Sequence, residues 1–467
     1  MRLSRPFPLA LLLLLPSACS SSSAPPSDPS PPAPVVAKTP ATEPLASSSA
    51  ACGVAPYTWL ATPDLGDVTQ HGSHDHFVAD ISQLLLVQGN VQPGGPVHDV
   101  DVDQIAYVTQ DRGKKLEATT LVAYPSDLDT KTELDVVLVL HGTAGFVDMC
   151  APSNGTDTKP LVAALASLGY VAVAPDYIGL KALGSPTGFL HPYLVGQPTA
   201  LASLDAVRAA EKLLASAHGN VFATARFATV GGSQGGHAAL WVDRLAPYYA
   251  QELQQVGVVA TVPPADMLGE VVRALTQTVP ASLNTAAFYG AASDWYGVTG
   301  RLSEVFQAPL ASTFEAELSA SCSPGGDLSS KQITDVFTPS LLADASSRDA
   351  FAKVSPWGCM IVENGLTTTS VKRIGPTAPG YGVMFVLGSA DTLVDPGTER
   401  PAFDALCAQG MQMQYLECLG ATHTKATAWA LPEIIDFIRD RFAGKAPDAS
   451  TSCVRGPAVT CRGTPPS

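Results

Sequence analysis

Short apolar segments alternate with segments of helical periodicity from about residue 104 to residue 442. The segments 105–109 and 116–124 predict two antiparallel strands, and the continuous apolar run at 135–141 predicts a parallel strand buried on both faces. Further buried strands are predicted at 170–174, 227–230, 258–262, 383–387 and 411–418. Helices are predicted at 160–168, 198–217, 399–407 and 428–442, and directly after residue 233. This alternation predicts an α/β fold, with a mainly parallel sheet and helices on both faces.

A long segment without the strand pattern, residues 265–379, interrupts this alternation. It is rich in Leu, Val and aromatic residues, and we interpret it as a mostly helical cap over the carboxyl edge of the sheet, where ligands bind in open α/β sheets. The alternative is a second domain with no role at the site. The order of the elements is that of an α/β-hydrolase sheet. The predicted core occupies 52–264 and 380–444, followed by a cysteine-containing tail at 445–467.

The first 51 residues predict export. Residues 1–18 combine two arginines with a short apolar run, which is typical of a signal peptide and too short for a transmembrane helix. Leu-Pro-Ser-Ala-Cys at 15–19 is similar to a bacterial lipoprotein cleavage site, so an acylated Cys19 would tether the protein to the cell envelope. Soluble secretion after ordinary cleavage is the alternative. Residues 19–51 are mostly Ser, Pro and Ala, which predicts a disordered tether.

Charge and cysteine content narrow the class of protein further. The formal net charge is −15, from 27 Lys and Arg against 42 Asp and Glu, and without a basic cluster this argues against nucleic acid as a partner. Eight cysteines besides Cys19 predict up to four disulfides in an exported protein. Sequence cannot fix which of the 105 pairings forms. Proximity along the chain favours Cys407–Cys418, Cys453–Cys461, Cys322–Cys359 and Cys52–Cys150.

The sequence Gly-Gly-Ser-Gln-Gly at 231–235 lies between a predicted strand and a predicted helix. In that context Gly-x-Ser-x-Gly predicts a nucleophile elbow, in which Ser233 occupies a strained turn. Gly231 and Gly235 relieve the collisions that side chains would cause there. Backbone N–H groups at the start of the helix, that of Gln234 above all, can stabilise a developing anion.

A serine nucleophile needs a base and a carboxylate that orients the base, and in this fold both follow the serine along the chain. Asp391 lies in the loop after the strand 383–387, and His423 lies between the last strand and the last helix. We therefore predict Asp391 as the acid and His423 as the base, with Asp395 as the alternative acid. The N–H of Thr143, in the turn after the strand 135–141, is the predicted second oxyanion donor.

The remaining histidines predict no second catalytic centre. His141 and His237 are interpreted as structural, and no role is predicted for His191 or His218. His71, His74 and His76 could ligate a metal, but their spacing matches no zinc motif, so a solvated loop is the preferred interpretation. No metal or organic cofactor is expected.

Several motifs together resemble the secretory lipase family, the lipase A-like α/β-hydrolases. They are Ala-Pro-Asp-Tyr-Ile-Gly-Leu at 174–180, Leu-Asp-x-x-Arg-Ala at 204–209, Gly-Ser-Gln-Gly-Gly at 232–236, Ala-Leu-Trp at 239–241, Ala-Pro-Tyr at 246–248 and Gly-x-x-Asp at 388–391. The resemblance spans about residues 136–442 and implies a serine hydrolase of acylglycerols or other acyl esters, with its triad at Ser233, Asp391 and His423. Gly232 departs from the family, in which a bulkier residue is common.

Three functions follow from these features. The first is a serine lipase or esterase, and the composition of the cap favours medium or long acyl chains. The second is a peptidase or amidase with the same triad, which would need a carboxylate for the amine of its substrate. The third is a surface-anchored binding protein without catalysis, against which the intact Ser, Asp, His order argues.

Overall fold

The structure, a computed structural model, describes residues 52, 58–217, 219–323 and 331–465. The predicted signal peptide at 1–18, the tether at 19–51 with Cys19, and His218 lie outside the described residues. Within them, no helix combines the length and the apolar character that crossing a membrane would require.

The described part of the chain forms a nine-stranded sheet in the order β1-β2-β3-β5-β4-β6-β7-β8-β9. The strands are β1 Val68–Phe77, β2 Val100–Asp111, β3 Lys114–Pro125, β4 Thr132–Leu140, β5 Val171–Pro175, β6 Val221–Gly232, β7 Gln254–Thr261, β8 Gly382–Gly388 and β9 Met413–Cys418. The pairs β1–β2, β2–β3 and β3–β5 are antiparallel, and the other five are parallel. Strands β5 and β8 are buried along their whole length, which explains their unbroken apolar sequences.

Helices outside the insertion flank this sheet. They are α1 Ala79–Gln88, α2 Thr158–Ala166, α3 Gly196–Ser216, α4 Gln234–Tyr249, α12 Pro396–Ala408, α13 His423–Trp429 and α14 Leu431–Phe442. The predicted α/β fold is therefore confirmed. The prediction of a single helix at 428–442 is wrong, because α13 ends at Trp429 and α14 begins at Leu431. Pro432 lies in the first turn of α14 and has no N–H to donate to a continuing helix.

The prediction of a solvated loop around His71, His74 and His76 is also wrong. These residues belong to β1, an edge strand paired with β2, in which His74 lies opposite Asp103 and His76 opposite Asp101. Polar and charged side chains cover most of β1, so it lacks the apolar pattern by which the other strands are predicted.

Helices dominate the insertion between β7 and β8, as the cap prediction requires. They are α5 Met267–Thr276, α6 Ala281–Trp295, α7 Leu310–Ala320, α8 Ile333–Val336, α9 Pro339–Asp344, α10 Arg348–Phe351 and α11 Trp357–Asn364. Their buried side chains form a hydrophobic cluster distinct from that of the sheet. Phe146, from the loop after β4, and Tyr193, from the loop after β5, belong to the cap cluster, so the cap packs on loops that leave the sheet. The exact domain boundaries stay a prediction.

Four disulfides form among the described residues, but each predicted pairing is wrong. The observed pairs are Cys52–Cys359, Cys150–Cys322, Cys407–Cys453 and Cys418–Cys461. The reason is topological, because a sheet with inserted and crossover segments brings together residues that are 43 to 307 positions apart. Two of the bridges attach the cap to segments outside it, and two attach the C-terminal tail to α12 and β9.

Candidate active site

Ser233 lies at a sharp turn between β6 and α4, with φ 58° and ψ −120°. This left-handed φ is unusual for a residue with a side chain and matches the strained geometry expected of an elbow. A Cβ on Gly231 would lie 2.1 Å from the carbonyl oxygen of Gly235, and a Cβ on Gly235 would lie 2.0 Å from that of Leu140. Only glycine fits at either position, which is the physical reason for the motif.

Asp391 and His423 are hydrogen-bonded to each other near the carboxyl ends of β8 and β9. His423 Nδ1 lies 2.7 Å from Asp391 Oδ2, while the N–H groups of Leu393 and Val394 donate to Asp391 Oδ1 at 2.8 and 3.1 Å. With Nδ1–H donating to the carboxylate, Nε2 is left as the basic nitrogen. That nitrogen is buried and has no hydrogen-bond partner, so Ser233 Oγ makes no hydrogen bond to it in this structure.

Helix α13, which begins at His423, packs against the elbow. Thr427 lies one helical turn beyond His423, and its Oγ1 is 2.5 Å from Oγ1 of Thr261. A Cβ on Gly232 would lie 3.1 Å from that same Thr427 hydroxyl. The base and the nucleophile are thus carried by adjoining elements, and a side chain at position 232 would have to displace the hydroxyls of Thr261, 2.9 Å from its Cβ, and Thr427.

The alternative acid, Asp395, has a different environment. Its carboxylate accepts the N–H of Thr398 at 3.0 Å and caps the N-terminus of α12. This is a common structural role for an aspartate that precedes a helix. The structure therefore pairs Asp391, and not Asp395, with His423.

The loop after β4 lies directly beside the elbow. A Cβ on Gly142 would lie 3.4 Å from the carbonyl oxygen of Gly232 and 3.9 Å from Ser233 Cβ. Thr143 is the next residue, and its hydroxyl lies 2.8 Å from that of Tyr193. The N-terminal end of α4 begins at Gln234 on the other side of Ser233. Thr143 and Gln234 therefore belong to segments that adjoin Ser233, and their role as oxyanion donors stays a prediction.

His191 supports Gln234, a contact that sequence reasoning missed. The Gln234 side chain lies 2.7 Å from His191 Nε2, and His191 Nδ1 donates to the carbonyl of Ile178 at 2.9 Å. Burial lowers the pKa of His191 to about 3, so its neutral ring can accept the amide N–H of Gln234. No local sequence signal marks this histidine, since its partners lie on distant segments.

Two further histidines also have structural contacts. His141 stacks on Tyr177 at 4.0 Å, and His237 Nε2 lies 2.7 Å from the carbonyl of Asn364 in the cap. Burial lowers the pKa of each to about 4, so both rings are neutral near pH 7. His74 and His76 contact Asp103 and Asp101, and within the described ranges no group of three or more His, Cys, Asp or Glu side chains is arranged to hold a metal ion.

A cavity of about 50 Å³ lies between Ser233 and the cap. Most of its lining is apolar and includes Met267, Val271, Phe288, Leu393 and Val394. One carboxyl group, that of Glu270, also lines it, and burial raises the pKa of this group to about 7 even though Arg273 opposes the shift. Both oxygens are bonded, one to the N–H of Asp395 at 2.7 Å and the other to Arg273 at 2.8 Å.

Comparison with known proteins gives a consistent picture. Lipase 10 of Candida albicans is 26% identical over 323 residues, which cover 65% of this chain and 64% of that protein. A protein of Mycobacterium tuberculosis named probable inactive lipase MT1628 is 25% identical over 365 residues, 74% of each chain. Among solved structures, the rice cell wall degrading esterase LipA from Xanthomonas oryzae superimposes with a TM-score of 0.65 at 20% identity, over 81% of this chain and 98% of that one.

These likenesses define the fold and the family. The structural likeness shows the α/β-hydrolase fold that the sequence predicts. The chain spans 64% of the length of Lipase 10, the first of these curated relatives. The family model for secretory lipases matches residues 151–449, more than half of the 467-residue chain. The chain therefore belongs to the secretory lipase family.

Proposed function

We propose that the protein is an exported serine carboxylic-ester hydrolase, a lipase or esterase that acts on acylglycerols or other acyl esters. The observation that carries this proposal is the His423–Asp391 hydrogen bond on elements that adjoin the strained Ser233 turn. Family membership and the apolar cavity beside Ser233 support it. Lipid attachment through Cys19 is part of the proposal, with soluble secretion as the alternative.

The proposed reaction proceeds through an acyl-enzyme. Ser233 Oγ attacks the ester carbonyl while His423 Nε2 takes its proton, and Asp391 stabilises the resulting imidazolium. The N–H groups of Thr143 and Gln234 bind the tetrahedral oxyanion. His423 then protonates the leaving alcohol, and water repeats the sequence to release the acid. For the first step Ser233 Oγ must come within hydrogen-bond distance of Nε2, which has no other hydrogen-bond partner.

The alternatives gain less support from the site. A peptidase would need a free carboxylate for the substrate amine, but Glu270, the only carboxylate among the described residues that line the cavity, already bonds Asp395 and Arg273. The second alternative, a protein without catalysis, has a precedent in the relative named probable inactive lipase. For this chain to lack activity, its site would have to prevent Ser233 from reacting despite the intact His423–Asp391 pair.

The test compares the wild type with Ser233→Ala on p-nitrophenyl esters of graded acyl length. We expect hydrolysis by the wild type, a loss of at least about 10³-fold in the variant, and labelling of the wild type alone by a fluorophosphonate. An aminoacyl anilide serves as the peptidase substrate. Activity that survives in folded Ser233→Ala would exclude the mechanism. Preference for acetyl esters with no activity on longer ones would contradict the predicted acyl preference.

A further inference from the structure

We propose that Glu270 and Arg273 of cap helix α5 position the acid loop, residues 391–395, and thereby set the geometry of the Asp391–His423 pair. This inference rests on the proposed function of the same site. It assigns two positioning residues in the cap, which act through the backbone of the acid loop.

The two cap side chains hold the acid loop at two points. Glu270 Oε1 accepts the N–H of Asp395 at 2.7 Å, and Arg273 Nη2 donates to the carbonyl of Leu393 at 2.6 Å. Glu270 Oε2 accepts from Arg273 Nη2 at 2.8 Å and from Nε at 3.1 Å, so the two side chains also fix each other. Together they hold the loop backbone on both sides of Val394.

The same stretch of backbone holds the catalytic carboxylate. The N–H groups of Leu393 and Val394 donate to Asp391 Oδ1, and the other oxygen of Asp391 accepts the His423 hydrogen bond. Leu393 therefore contacts Arg273 through its carbonyl and Asp391 through its N–H. Two hydrogen bonds in series separate the Arg273 guanidinium from the carboxylate that orients the base.

The environment of the pair favours a positioning role over a purely stabilising one. Glu270 is only 6% exposed, and the Arg273 side chain is 15% exposed. A buried ion pair gains little stability over apolar residues of similar volume, since desolvation offsets the attraction. Its hydrogen bonds are directional, however, and two of them fix the backbone of the acid loop at Leu393 and Asp395. Leu393 and Val394 also line the cavity, so an acyl group bound there would contact the loop directly.

The cap contains a matched control pair. Arg301 and Glu304 have the same spacing of three residues and a comparable 2.8 Å contact, but their side chains are about half exposed and neither lines the cavity. Arg301→Met therefore removes a cap ion pair without affecting the acid loop. Arg273→Met and Glu270→Leu remove the proposed contacts, whereas Glu270→Gln keeps an acceptor oxygen for the N–H of Asp395.

The experiment measures kcat and KM of the full chain on a p-nitrophenyl ester, with thermal unfolding of each variant. We expect Arg273→Met and Glu270→Leu to lower kcat by about tenfold to a hundredfold with little change in KM. Glu270→Gln should recover part of the loss, and Arg301→Met should stay within about twofold of the wild type. If Glu270→Leu does not fold, the Arg273→Met and Glu270→Gln results decide the question.

The outcomes separate this inference from the proposed function. A wild type that hydrolyses no ester and is not labelled at Ser233 would refute both. An active wild type whose kcat is unchanged in folded Arg273→Met would refute the positioning role alone. A fall in kcat of equal size in Arg301→Met would also refute it, because the effect would then come from any ion pair of the cap.

Discussion

Replacing Asp391 by asparagine tests the proposed triad most sharply, because the structure fixes how the new side chain must lie. Two N–H groups, from Leu393 and Val394, donate to Asp391 Oδ1, so the amide oxygen of the new side chain should occupy the position of Oδ1. The amide NH₂ then faces His423 Nδ1, which must accept a hydrogen bond instead of donating one. The ring proton moves to Nε2, and His423 can no longer take the proton of Ser233.

The expected magnitude follows from this tautomer change. An equivalent substitution in a Ser-His-Asp enzyme lowers kcat by about 10⁴-fold with intact geometry, which corresponds to about 5.5 kcal/mol of transition-state stabilisation. We expect the same order of loss in Asp391→Asn on a p-nitrophenyl ester. The thermal unfolding midpoint should change little, since the variant keeps the size of the side chain and its acceptor oxygen.

Asp395→Asn is the matched control four residues further along the chain. Asparagine caps helices as well as aspartate does, so α12 keeps its N-terminal hydrogen bond and activity should stay within about twofold. Asp391→Asn that retains more than about a tenth of the wild-type kcat would refute the role of Asp391. An equal loss in Asp395→Asn would show that the loop, and not the His423 contact, is what matters.

Three further predictions concern stability, each measured by denaturant unfolding. Removing the Cys150–Cys322 bridge with two serines should lower the unfolding free energy by about 2–5 kcal/mol, since the bridge closes a loop of 172 residues; no change would contradict this. Burial raises the pKa of Asp176 from 3.8 to about 7, so the stability that its protonated form contributes is complete below pH 3.8 and lost as the pH rises through 7. Asp176→Asn should therefore remove about 4 kcal/mol from the pH dependence of the unfolding free energy. An unchanged slope of that free energy between pH 4 and 7 would argue against this role. Gly196→Ala should lower the unfolding free energy by about 2 kcal/mol or more, because the new Cβ would lie 2.2 Å from the Trp241 ring. A variant as stable as the wild type would show that the ring moves freely.

The parts of the fold that were predictable are those with a local signature. Continuous apolar runs indicate strands such as β8, and the glycines around Ser233 indicate the elbow, because sterics at the turn dictate them. The order of elements then locates Asp391 and His423 at the carboxyl edge of the sheet. Strand β1 lacks such a signature, since it lies at an edge and exposes polar side chains.

Contacts between distant segments were not predictable. Proximity along the chain says little about disulfides once an insertion of over a hundred residues folds back on the core, and every pairing derived in that way is wrong. His191 and Glu270 gain their contacts only when a loop and a cap helix meet the elements around Ser233. Nothing in their neighbouring sequence encodes those partners.

The two disulfides that reach the insertion restrict how a substrate can enter. Cys52–Cys359 fastens α11, and Cys150–Cys322 fastens the segment after α7, to parts of the chain that precede the insertion. Cys150 lies in the loop after β4, so an outward swing of the cap as one rigid body would have to carry that loop with it. Reduction of this bridge would remove the restraint, and substrate entry should then depend on the redox state of the compartment.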